Sequence, residues 1–154
     1  MKITWNNRAT KIIIDILMTI FLVLSFVRWE GSNFAFHAIV GTGCALFFSL
    51  HVLIHRKWLV AVTRTFLNGK LNKILKWKYV INVLLLVVWG IAIATGFLAI
   101  GYFSFEINGM AGFSRLHAAT SRIGLMLVVI HVFQHLPQIK SYFGLNKRKD
   151  KIIL

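Results

Sequence analysis

Residues 36–55 read FHAIVGTGCALFFSLHVLIH, from Phe36 to His55. The stretch is apolar enough for the interior of a bilayer, yet it carries His37, His51 and His55. As a helix it would rise about 30 Å, the thickness of a hydrocarbon core. Ionisable side chains at such depths are costly, and they mark function more often than packing.

The stretch belongs to one of four apolar runs: Ile12–Val27, Phe34–His55, Tyr79–Ile100 and Ser114–Leu136. The 154-residue chain is 58% hydrophobic and 14% charged, where a soluble domain carries about 25% charge. Transmembrane strands would show segments of alternating polarity about ten residues long, and none appear. The expected fold is therefore all-α: one domain over 1–154, an integral membrane four-helix bundle.

The formal net charge is +14. A charge of that size on a soluble chain suggests nucleic acid, but here the cations sit in the connections, so no nucleic-acid partner is expected. Arg56, Lys57, Arg64, Lys70, Lys73, Lys76 and Lys78 fill the middle connection with no acid among them. Lys2, Arg8 and Lys11 open the chain, and Lys140, Lys147, Arg148, Lys149 and Lys151 close it against Asp150. The other two connections hold Arg28 with Glu30, and Glu106 with Arg115. The positive-inside rule then places both termini and the middle connection in the cytoplasm.

The first run is expected to be kept rather than cleaved, since Val27-Arg28-Trp29-Glu30 has no small-residue cleavage pattern. Cys44, the single cysteine, excludes an intrachain disulfide, and the absence of C-x-x-C-H excludes covalent haem attachment. Trp5, Trp29, Trp58 and Trp77 fall at span edges, as an aromatic belt does; Trp89, mid-span, reads as packing. Leu59–Lys78 mixes apolar and basic residues around Asn68-Gly69. That pattern predicts short amphipathic helices on the inner membrane surface, with a docking face for a cytoplasmic partner as the alternative. Gly101–Phe113 is expected to form a compact cover over the outer end.

All six histidines fall into one pattern. His37, His51 and His55 are followed 80 residues later by His117, His131 and His135. The second and fourth spans thus share His-x13-His-x3-His, the mark of a repeated two-helix unit. Fourteen residues make about four turns and ~21 Å of rise, so His37 and His51 share a face at two depths, as do His117 and His131. The second and fourth spans run parallel, which levels His37 with His117 and His51 with His131. Two facing imidazoles at each of two depths are what two non-covalent, bis-histidine b-type haems require. Gly41, Gly43 and Gly124, with Gly90 and Gly96 of the third span, would give the macrocycles room. Glycine also serves close helix packing in membranes.

Other readings stand beside this one. An intramembrane histidine can simply hydrogen-bond a neighbouring helix. His51, His55, His131 and His135 could form a four-histidine zinc site, which leaves His37 and His117 unexplained. His55 and His135 lie closer to the headgroups than the ligand pairs, and suit propionate contacts, proton carriage or a quinone pocket. Arg122, two turns into the fourth span, is expected to pair with an outer propionate, with Ser121 assisting; snorkelling to the interface is the alternative. Asp15 is expected to pair with His55, His135 or a lysine, or to take part in quinol proton release.

The segments FHAIVGTGCALFFSLHVLIHRKW and SRLHAATSRIGLMLVVIHVFQHL, with Ala94-Thr95-Gly96-Phe97-Leu98 after Trp89, resemble small bacterial membrane b-type cytochromes. They are most similar to the flavinylation-associated cytochromes, a four-span family long catalogued as a domain of unknown function. The resemblance covers nearly the whole chain. It departs at His135-Leu136-Pro137, where the second span has His55-Arg56-Lys57-Trp58. It implies a multi-pass protein of the bacterial cytoplasmic membrane with two haems b. Electrons would pass between the quinone pool or an inner reductant and a separate extracytoplasmic flavoprotein. The alternatives are a self-sufficient quinone-linked oxidoreductase, acting for example on superoxide or quinol, and a histidine-lined metal-binding membrane protein.

Overall fold

The computed structural model describes residues 8–27, 34–105 and 111–142. They form α1 (Arg8–Phe26), α2 (Phe34–Leu67), α3 (Lys73–Phe105) and α4 (Ala111–Tyr142). All four helices are long and apolar enough to cross a membrane, so the all-α, four-span reading holds. Hydroxyls in such helices take internal partners. Thr95 Oγ1 donates to the Ile91 carbonyl at 2.7 Å, and Ser49 Oγ to Ala45 at 2.8 Å.

The middle connection differs from its expected form. No surface helices lie across Leu59–Lys78: α2 runs straight through to Leu67 and α3 begins at Lys73. Nothing between His55 and Leu67 is Gly or Pro. Extending an existing helix gains a hydrogen bond per residue, whereas a new helix needs a costly nucleus. At 34 residues, α2 is about 50 Å long and overshoots a ~30 Å hydrocarbon core.

The break does come at Asn68-Gly69. Gly69 takes φ 68°, the left-handed region. Its N–H donates to the Phe66 carbonyl at 3.0 Å and that of Lys70 to Thr65 at 3.1 Å, the paired bonds of a Schellman stop. Asn72 then caps α3, its Oδ1 accepting from the Leu75 N–H at 2.8 Å. At the other hairpin, α4 passes through Pro137 and continues beyond the apolar run.

Helix α1 packs along α2 and α3 along α4, and the two hairpins meet between α2 and α3. Arg8 Nη2 donates to the Ser141 carbonyl at 3.0 Å, which joins the start of α1 to the end of α4. That end, shared with the Asn68–Asn72 turn, is the basic end. Among the described residues no Cα of α2 lies within 8 Å of one in α4, so the two histidine-bearing helices stand apart. The centre is a cluster of Leu22, Cys44, Leu85 and Trp89, with Phe48 against the indole at 6.0 Å.

Outside this cluster the surface is apolar: Ile39, Met126 and Phe133 are 70%, 72% and 67% exposed. Water would not tolerate so wide an apolar surface, and a lipid bilayer suits it. Trp5, Trp29, Arg28 with Glu30, the centre of the expected cover at 106–110 and the tail after Tyr142 lie outside the described residues.

Candidate functional site: two facing histidine pairs

The gap between α2 and α4 is bridged at two levels by imidazoles. His37 and His117 have ring centroids 6.0 Å apart, with planes at 76°. His51 and His131 are 6.5 Å apart, with planes at 79°. A nitrogen–metal bond is about 2.0–2.1 Å and the imidazole centre lies ~1.1 Å further, so two trans ligands on one metal have centres ~6.3 Å apart. Both pairs match that span. The structure brings the His37 ring to His117 and the His51 ring to His131.

Hydrogen bonds fix three of the four rings. His117 Nδ1 lies 2.8 Å from the Ala92 carbonyl, which can only accept, so Nδ1 carries the proton. His131 Nδ1 donates to Asn82 Oδ1 at 2.8 Å, and His51 Nδ1 to Asp15 Oδ1 at 2.7 Å. A neutral ring held this way keeps its Nε2 lone pair for a metal. A metal-binding histidine is usually held this way, by its second nitrogen.

Each pair opens on its own cavity. The one farther from the basic end, the outer cavity, is 390 Å³ and is lined by His37, His117, Gly41, Ser121 and Arg122 among others. Arg122 and Gly41 thus stand where the outer pair does. The inner one, 180 Å³, is lined by His51, His131, His55, Asn82 and Trp58 among others. Cys44 and Trp89 belong to both walls, so the central cluster is the partition between them.

The glycines divide by role. Gly41 has open space beside it and lines the outer cavity. Gly96 makes the notch for a ligand: a Cβ there would meet the His117 ring at 3.1 Å. Gly43 receives the Phe21 ring, and Gly124 receives the Trp89 indole, 3.0 Å from where a Cβ would stand. Gly124 therefore faces the partition and Gly90 has nothing near it; neither is among the cavity walls.

The third histidine of each helix packs against the second. His51–His55 and His131–His135 have centroids 4.7 Å apart at 44° and 43°. His55 reaches the inner cavity. His135 Nε2 is buried and, among the described residues, has no hydrogen-bond partner.

One expectation changes. Asp15 pairs with His51, not with His55, His135 or a lysine, because α1 packs along α2 at that level. One donor atom each from Asp15, His51 and His55 fall within 4.8 Å of one another. Asn82 and the Ala92 carbonyl carry no motif; the only trace is that Asn82 is a lone amide one turn into the third apolar run. Comparison of the chain with protein families, curated sequences and solved structures gave no match.

Proposed function

We propose that the chain is a membrane electron-transfer module holding two b-type haems, an outer one between His37 and His117 and an inner one between His51 and His131. The observation that carries this reading is the spacing: two imidazole pairs at two levels, each at the separation of trans ligands. His37, His117, His51 and His131 would hold the two haems, which would supply reversible one-electron chemistry.

The chain's own residues do the rest. Asp15, Asn82 and the Ala92 carbonyl orient the ligands. Arg122 and Ser121, beside the outer pair, meet propionate charge, and Gly41 leaves room. His55 and His135 serve the inner site as propionate partners or as the wall of a quinone niche. With the basic end in the cytoplasm, electrons move between the quinone pool or an inner reductant and an extracytoplasmic, flavin-carrying partner, as the resemblance to flavinylation-associated cytochromes implies. Each helical hairpin is one copy of a repeated unit. Asp15 serves His51 as Asn82 serves His131, and Leu22 meets Cys44 in the cluster where Trp89 meets Gly124.

The test is one difference spectrum of the purified full chain, reduced minus oxidised, with haem counted per chain. Two low-spin b-type haems are expected; a colourless protein from haem-replete cells sinks the reading. One specific observation favours a second reading: Asp15, His51 and His55 suit a divalent transition metal. Stoichiometric zinc in place of haem would select it.

A further inference from the structure

The two ligand pairs differ in the charge of what holds them. His117 donates to a backbone carbonyl and His131 to an amide oxygen, both neutral. His51 alone donates to a carboxylate. Asp15 is also the only carboxylate among the described residues, since Glu30, Glu106 and Asp150 fall outside them. Across the pair stands Asn82, its neutral isostere. At the other level the charged neighbour is a cation, Arg122, on the outer cavity wall.

We propose that Asp15 makes the inner histidine pair the lower-potential site, and so sets the downhill direction of electron transfer from the basic end to the far end. The inference rests on the two-haem reading and adds the direction to it. A carboxylate accepting from Nδ1–H draws the proton toward itself and raises the basicity of Nε2. A more basic ligand with a negative charge behind it stabilises the more highly charged, oxidised metal. Hydrogen bonding around the ligands is among the levers a protein has on haem potential. Arg122 acts in the opposite sense on the outer site, favouring its reduced state. One electron given up at the inner site is gained at the outer one, with no bond made or broken and no proton moved. Asp15 is a positioning residue acting through His51.

The test is a redox titration of the purified, haem-loaded full chain, with the inner component identified as the one missing in His51→Ala. In the native chain the inner component should titrate at the lower potential. Asp15→Asn keeps an acceptor oxygen and removes the charge. It should raise the inner component by about tenfold in its reduced-to-oxidised ratio, ~59 mV for one electron, and leave the outer one in place. Asp15→Glu should keep the native value. Asn82→Asp should lower the inner component by a similar factor, and the swap Asp15→Asn with Asn82→Asp should restore it. An inner site at the higher potential, or an Asp15→Asn chain with both haems and no shift, overturns the inference and leaves the two-haem reading standing. Should Asp15→Asn lose its inner haem, Asn82→Asp decides: a fall supports the inference and an unmoved potential overturns it. A native chain without haem defeats the underlying reading instead.

Discussion

The inner and outer histidine pairs have nearly the same span and ring angle, yet they are built from different materials. The inner pair is held by side chains, Asp15 and Asn82, and each of its rings has a second imidazole against it, His55 on His51 and His135 on His131. On the outer pair, His117 is held by the backbone of α3: the Ala92 carbonyl fixes its ring and Gly96 makes the notch it enters. Side-chain acceptors can change charge by a single substitution, whereas a carbonyl cannot. The inner site is thus open to electrostatic tuning, and the outer site is sensitive chiefly to shape.

The largest effect expected is loss of a whole site. His51→Ala and His131→Ala should each remove the same half of the haem absorbance, and His37→Ala and His117→Ala the other half. Any of these four that removes both halves, or two partners that remove different ones, breaks the division into an inner and an outer pair.

Gly96→Ala should act on the outer site alone. Its new Cβ would stand 3.1 Å from the His117 ring, so the ring must move off its axis. Displacing a ligand's support costs on the order of tenfold to a hundredfold in affinity. Haem counts and spectra should show a weakened outer component beside an intact inner one; equal losses in both would show that the notch is not specific to the outer pair.

The smallest effect is expected at the partition. Gly124→Ala would press on the Trp89 indole, and overpacking a core costs about 1–3 kcal/mol. Thermal unfolding in detergent should register it, with both spectral components kept in equal amount. A selective loss of one would place Trp89 in that site's wall more than the other's.

Much of this was legible in the sequence. Apolar runs set four helices, and the 80-residue offset matched two of the three histidine pairs to rings that face each other, His37 with His117 and His51 with His131. Those features lie within single helices, where the rise and turn per residue are fixed. What was hidden depends on how helices sit beside one another. Asp15 meets His51 only through the register of α1 on α2, and Asn82 meets His131 only through that of α3 on α4. The Ala92 carbonyl is a backbone group and leaves no letter in the sequence at all. The middle connection misled for another reason: amphipathic composition describes a surface but not where a helix stops. With no breaker after His55, α2 ran on until Gly69.

If the chain carries electrons as proposed, the cluster of Leu22, Cys44, Leu85 and Trp89 bears on the cell's energy balance. It stands as an apolar partition between the two cavities, with Cys44 and Trp89 in both walls. A protein that opened one channel from face to face would short-circuit the proton gradient. On the proposed function, an apolar partition at this point would let electrons cross while barring a water-borne path for protons, like an insulated wire set in the lipid.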